Sequence, residues 1–334
     1  MTRAQPAASE APYAVRRYRP ADRPGFLSLY EDVWGRPKGE AWFKWRFERN
    51  PYADGVEMVL AECDGRIVGA EPLLPLRLTD GTERVAAYQP VDWIVHPDHR
   101  RRGLFTRMTE RLLEAYADRA ALFFNFPSEA LRPGLEKFDW TEVGPVATRY
   151  RVQRPGRAVA DTKRPTSRAV SLLARTSVPA VRAGLRVADR LTPAADDVCV
   201  ERVDGVDADA VRTVYAETRP DRIHLPREEQ FLAWRFANPR WETTTYVARR
   251  DGRPVATVVA VTESLDAVSV TFLADVQPMT AVDGRSSAVD ATLARLVADH
   301  ADVDLLAAPT GPFPSVFRRR CFLRNDRFPL SLLT

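Results

Sequence analysis

Cysteine is scarce in this chain: Cys63, Cys199 and Cys321 are the only three among 334 residues. They lie far apart, which excludes a disulfide framework and any paired-cysteine metal motif, and suits a thiol-tolerant cytoplasm. Histidine is equally rare. Of the four, His96 and His99 sit three apart in a proline-containing loop, without the helical spacing of a zinc pair, so no metal is expected. No run of about 18 apolar residues is present, which excludes an integral membrane helix. The first residues, MTRAQPAASEAPY, lack the apolar segment of a secretory signal. Lysine occurs only at 38, 44, 137 and 163, so the cationic charge is almost all arginine. The formal net charge is +4, and its basic residues are spread rather than clustered on one face, which argues against a nucleic-acid partner. Hydrophobic residues make up 45% and charged residues 28%, so a core can form and general disorder is excluded.

The pattern along the chain alternates helix and strand. Residues 21–35 carry Phe26, Leu27, Tyr30 and Val33 at helical spacing. EAWFKWRFER (40–49) reads as a second helix stopped at Asn50-Pro51. MVLAEC (58–63) and RIVGAEPLLPLRL (66–78) read as strands joined by Asp64-Gly65, a strong hairpin turn. RVAAYQPVDWIV (84–95) reads as one long strand, and 104–119 as a helix. ALFFNF (121–126) follows as a strand, 128–138 as a short helix, and 141–152 as the last strand of the first unit. QRPGRAVADTKRPTSR is linker-like. Residues 167–191 form a basic amphipathic stretch broken at Pro179, expected to pack as a helix across two domains.

The remainder repeats the beginning. Trp45-Arg46-Phe47 recurs as Trp234-Arg235-Phe236, Asn50-Pro51 as Asn238-Pro239, and Asp64-Gly65-Arg66 as Asp251-Gly252-Arg253. Three landmarks in one order imply two copies of one α/β unit, at 12–152 and 198–334, with a linker at 153–197. Arginine in the repeated aromatic helix is expected to pack among the rings and snorkel to a carboxylate.

The chemistry gathers in VDWIVHPDHRRRGLFTRM (91–108). A strand ends at Val95, Pro97 breaks it, and a helix begins after Arg100-Arg101-Arg102-Gly103. The first amides of a helix have no partner within it, and its dipole adds partial positive charge there. Gly103 lets a ligand come close. Three guanidinium forks suit phosphate oxygens. A pyrophosphate is the expected guest.

With Arg100, Gly103 and the Val95-His96-Pro97 lead-in, the segment resembles the pyrophosphate loop of the GNAT superfamily of acetyl-CoA-dependent N-acyltransferases. Phe105 stands where that family usually has glycine or alanine. The repeat and the Trp42–Phe47 helix look like the tandem members of the superfamily. The resemblance implies an α/β (α+β) fold of two tandem GNAT-like units, each with a mixed, mainly antiparallel sheet flanked by helices. It implies acetyl transfer from acetyl-CoA to a primary amine of a small molecule or peptide, by direct attack and without metal. Backbone groups of Trp93, Ile94 and Val95 would hold the pantetheine arm. Arg100, Arg101 and Arg102 with the amides of Gly103, Leu104, Phe105 and Thr106 would hold the pyrophosphate. Ser128 would cap the helix after strand five and bond the cofactor. Leu135 stands where the family's proton-donating tyrosine is expected, so the thiolate leaves unaided or takes its proton elsewhere. Glu71 and Asp92 are the candidate bases. In the second copy Val276-Gln277-Pro278 and Gly284 align with this loop, but Met279–Asp283 replace its arginines. That copy is expected to be degenerate, shaping the acceptor cleft or stabilising the first. The other readings are transfer of a different acyl or aminoacyl group to a cell-surface precursor, and a CoA-binding module without catalysis.

Overall fold

The computed structural model describes residues 13–129, 131–144, 146–154, 183–189, 197–265 and 268–325. The chain divides into two compact units: Met1–Leu78 with Glu83–Thr141, and Glu142–Thr334 with Thr79–Thr82.

In the first unit, strand β1 (Ala14–Arg17) is followed by helix α1 (Arg23–Trp34) and helix α2 (Glu40–Phe43), which continues as a wider turn over Lys44–Glu48. Phe26, Tyr30, Trp42, Phe43 and Phe47 stack among themselves at ring separations of 5.2–6.1 Å. Strands β2 (Met58–Cys63) and β3 (Arg66–Thr79) form an antiparallel hairpin. Its turn residues Asp64 and Gly65 have φ of +49° and +74°, the mirror-image turn that matches strand twist. Next come β4 (Arg84–Pro90), β5 (Ile94–Val95), helix α3 (Leu104–Tyr116), β6 (Leu122–Phe123) and helix α4 (Arg132–Glu136). The sheet runs β1-β2-β3-β4-β6, with β5 also on β3. Helix α3 buries Leu104, Met108, Leu112 and Tyr116, one stripe at four-residue spacing, against Val59, Ala61 and Tyr88.

In the second unit the sheet runs through seven strands. Here β7 (Thr148–Val152), β8 (Cys199–Asp204), β9 (Glu242–Arg250), β10 (Arg253–Leu265), β11 (Val268–Gln277), β12 (Leu305–Pro309) and β13 (Leu323–Asn325) take the order β13-β7-β12-β11-β10-β9-β8. Its helices are α5 (Ala208–Glu217), α6 (Glu229–Arg235), α7 (Ser286–Asp299) and α8 (Pro314–Arg319). Ala288, Val289, Leu293, Leu296 and Val297 of α7 pack on Tyr246, Ala248, Val258 and Ala260 of the sheet.

The two units share a plan. Each has a long antiparallel hairpin, turned at Asp64-Gly65 or Asp251-Gly252, with φ of +51° and +76° in the second case. Each then sends a helix to a strand that lies parallel to the one before it, β6 on β4 and β12 on β11. The side chains of Asn50 and Asn238 both accept the amide two residues on, at 2.9 and 3.0 Å. The fold is therefore two mixed α/β units built on one connectivity, as the repeat implied.

Three elements differ from the sequence expectation. The long strand over 84–95 is split by Asp92, whose φ is +49°. The strand expected to close the first unit begins at Thr148 and joins the other sheet, between β12 and β13. Buried polar groups decide this. Arg151 reaches the carbonyl of Arg320 at 2.5 Å, and Gln153 donates to the carbonyl of Val297 at 3.1 Å, both in the second unit. The helix expected from Ser128 starts at Arg132 with Leu131 as its cap. Pro133 fits the first turn, where its missing N–H is not needed, and would break a helix begun four residues earlier. Ser128 consequently offers its carbonyl to Leu131 and Arg132 as a turn, and does not cap α4. Residues 183–189 are helical, and Asp189 forms a forked ion pair with Arg151. The rest of the amphipathic stretch lies outside the described residues.

Candidate functional site

The loop after β5 is built by backbone geometry. A single turn, Pro97–His99, redirects the chain, and Arg100 Nε is tied back to the carbonyl of Val95 at 3.0 Å. Arg101 and Gly103 both take left-handed φ, +60° and +71°. Alternating handedness of this kind turns successive N–H groups toward one side and makes an anion-binding concavity. The first helical bond of α3 runs from Arg107 N–H to the Gly103 carbonyl at 3.1 Å. The N–H groups of Leu104, Phe105 and Thr106 therefore have no acceptor within the helix. Arg100, Arg101, Arg102 and Gly103 are exposed, and no carboxylate pairs with Arg101 or Arg102 among the described residues.

Beside this loop the sheet opens. Strands β4 and β6 pair in parallel at Ala87–Leu122 and Tyr88–Phe123, with a last bond from Phe124 N–H to the Tyr88 carbonyl at 3.1 Å. Past that point residues 91–95 keep only β3: Val91 N–H reaches the Pro72 carbonyl at 3.0 Å, and Ile94 and Val95 face Ala70 and Gly69. Their other edge has no strand neighbour among the described residues. Trp93 lies along it, with its ring 5.2 Å from Phe105 and 6.5 Å from Trp140. Phe105 in turn meets Phe138 at 6.3 Å. It is pinned under α4, where a Cβ on Gly134 would stand 2.7 Å from its ring. The buried Nε1–H of Trp93 has no acceptor. A free strand edge, an orphaned donor and a cationic helix start fit a long ligand with carbonyl groups at one end and a diphosphate at the other.

The two candidate bases have different surroundings. Glu71 is fully buried on β3 under α3, with Thr109 Oγ1 2.9 Å from one carboxyl oxygen and 3.0 Å from the Phe105 carbonyl. Thr109 has one proton, so both bonds exist together only if Glu71 is protonated and donates. Burial pushes its carboxyl well above the usual range, which agrees. Such a group is a neutral core acid, and its burial counts against service as the base. Asp92 is half-buried at the break between β4 and β5, and Arg46 Nε donates to it at 2.8 Å. Arg46 is itself buried against the rings of Trp42 and Phe47. The Trp93 aromatic group was not read from the sequence; the recurring Trp-Arg-Phe pointed to an arginine that snorkels to a carboxylate, whereas Arg46 is buried and its partner is Asp92.

The neutral Glu71 has a measurable consequence. Its proton is held in the folded chain beyond the pH at which the unfolded chain loses it. The stability it allows is thus full below about 4.3 and declines as pH rises toward the folded value. Glu71→Gln, which can still donate to Thr109, should match the wild type near pH 4. Above that it should gain by about 1.4 kcal/mol per pH unit until the folded pKa is passed. Urea midpoints across pH read this directly. A variant no more stable than wild type at pH 8 would show that Glu71 is ionised.

The aligned loop of the second unit is electrostatically closed. Gly284 is again left-handed at +73°, but the nearby cations are spent: Arg285 pairs with Glu217 at 2.7 Å and Arg250 with Asp197 at 2.6 Å. Exposed Asp283 adds negative charge. Among the described residues no group of three His, Cys, Asp or Glu side chains is placed to hold a metal, and no helix is long and apolar enough to cross a membrane.

An acetyltransferase (GNAT) domain family matches residues 14–143. No curated protein matches significantly. Among solved structures, a probable N-acyltransferase from Enterococcus faecalis V583 superposes with a TM-score of 0.63 at 11% identity, over 94% of this chain and 70% of that one. A tandem GNAT protein from the clavulanic acid biosynthesis pathway gives 0.57 at 13% identity, over 93% and 95%. The N-myristoyltransferase of Saccharomyces cerevisiae gives 0.59 at 11%, over 97% and 80%. At such identities the likeness establishes the fold.

Proposed function

We propose that this chain, an acyltransferase whose residues 14–143 are a GNAT domain, moves an acetyl group from acetyl-CoA to a primary amine. The observation that carries the reading is the exposed Arg100–Gly103 turn, with its unpartnered helix amides, set beside an unpaired strand edge. In this reading the N–H groups of Leu104, Phe105 and Thr106 and the guanidinium groups of Arg100–Arg102 hold the diphosphate. The edge of Trp93, Ile94 and Val95 receives the pantetheine amides as an added strand. A donor there, backbone N–H or the orphaned indole of Trp93, polarises the thioester carbonyl. The amine nitrogen bonds the carbonyl carbon as the carbon–sulfur bond breaks. The amine gives up one proton, and we assign Asp92 to receive it, directly or through water. Ser128 does not cap α4, and in this reading it keeps only the bond to the cofactor. Leu135 is buried and cannot protonate the thiolate, which leaves as such; a thiol of ordinary acidity, about 8.5, makes that tolerable.

The aromatic group of Trp93, Phe105, Phe138 and Trp140 favours one variant of this reading, a donor whose acyl group is larger than acetyl and packs on the rings. Steady-state CoA release, measured with a panel of primary amines and with acetyl-CoA against longer acyl-CoAs, tests both. Amine-dependent release is expected. Tight CoA binding without release by any amine would leave a binding module in place of an enzyme.

A further inference from the structure

A cavity of about 210 Å³ lies in the second unit, between the 183–189 helix and the end of α7. Leu185 lines it on one side, and Val297, Ala298 and Ala301 line it on the other. The short alanine side chains leave the space open. Nothing in the acyl-transfer reading uses it.

Three charged side chains line the same cavity, Arg151, Arg186 and Asp189. Arg151 is only 2% exposed. Its Nε donates to Gln153 Oε1 at 3.2 Å, its Nη1 to the Arg320 carbonyl at 2.5 Å and to Asp189 at 3.1 Å, and its Nη2 to Asp189 at 2.7 Å. A guanidinium carries five N–H groups, so one on Nη2 has no acceptor among the described residues. Arg186 is exposed, and no carboxylate pairs with it among them. Asp189 neutralises one guanidinium of the two, and the cavity keeps one positive charge beside its apolar walls.

We propose that this cavity binds a small carboxylate with an apolar body, of the class of benzoate or a short fatty acid. The carboxylate takes Arg186 and the remaining N–H of Arg151. The ring or alkyl chain covers Leu185, Val297, Ala298 and Ala301. The size agrees, since an apolar cavity of about 150 Å³ holds benzene. Inorganic phosphate has no apolar part to lay on these walls, and its second charge faces Asp189. A cationic amine meets the wrong net charge.

Titration of the full chain with sodium benzoate, read by saturation-transfer NMR at constant ionic strength, tests the site. A dissociation constant on the order of 1 mM is expected for so small a ligand. Ala298→Leu places a helix-forming side chain at an exposed position and fills the cavity, so the fold is kept and benzoate binding should fall at least about tenfold. Arg186→Gln removes the uncompensated charge from an exposed residue and should weaken binding about fivefold. No saturable binding up to about ten times the expected dissociation constant, or equal affinity in wild type, Ala298→Leu and Arg186→Gln, would overturn the site. Benzylamine or benzyl alcohol bound as tightly as benzoate, and lost equally in Ala298→Leu, would overturn the assignment of its ligand.

Discussion

Gly103→Asp should weaken acetyl-CoA binding by at least about 100-fold, measured by calorimetry at neutral pH. Two effects act in the same direction. Gly103 sits at φ +71° with nothing within 4 Å of where its Cβ would be, so the added side chain meets no clash but forces a left-handed backbone worth about 1–2 kcal/mol of strain. The larger effect is charge. A carboxylate at the start of α3 takes up the free amides of Leu104, Phe105 and Thr106 as a helix cap, the same donors a diphosphate requires. Each charge-assisted bond forfeited is worth about 1.5–3 kcal/mol, so loss of two already gives the factor of 100.

Gly284→Asp is the matched control, since Gly284 has nearly the same φ, +73°, and equally open space. Its surroundings differ in charge: Arg285 and Arg250 are consumed by Glu217 and Asp197. The substitution should therefore leave acetyl-CoA affinity within about twofold, as surface changes away from a site usually do. A loss there comparable with that at Gly103 would move the binding site to the second unit. Full affinity in Gly103→Asp would remove the loop from consideration altogether.

The contrast between these glycines was legible in the sequence because backbone demands leave chemical marks. A left-handed residue before a helix selects glycine, and a mirror-image hairpin turn selects Asp-Gly, so both hairpins and both loops could be located. The loss of three arginines from the second loop was equally visible. What the sequence did not carry was partnership. Nothing in Thr148–Val152 states which sheet it joins; its place follows from Arg151 and Gln153 finding acceptors beside α7 and α8. The break in the strand over 84–95 is made by Asp92 rather than by glycine, so no residue type announced it. At that break Asp92 meets Arg46 while the Trp93 ring lies beside Phe105, an arrangement that depends on the turned backbone. The protonation of Glu71 needed its burial, and burial of a strand carboxylate is a property of what packs over it.

Arg46→Met should cost about 2–3 kcal/mol of folding stability, measured by denaturant unfolding of the whole chain. Removing one partner of a fully buried ion pair costs about 3–5 kcal/mol. The lower figure applies because the Asp92 side chain keeps 19% of its surface in water while Arg46 keeps 6%. The stacking of the guanidinium on Trp42 and Phe47 adds about 0.5–1 kcal/mol to what is lost. Asp92→Asn on the Arg46→Met background should recover much of the deficit, because the uncompensated charge is then gone. The same pair of variants separates structure from catalysis. If Asp92 receives the amine proton, Asp92→Asn lowers kcat by about 100-fold or more, and the double variant stays slow although its stability returns. If Asp92 only anchors the break between β4 and β5 through Arg46, activity recovers together with stability. An Arg46→Met chain as stable as wild type would mean that the aromatic helix holds the strand break without the ion pair, and the recurring arginine would then lose its structural explanation in the first unit.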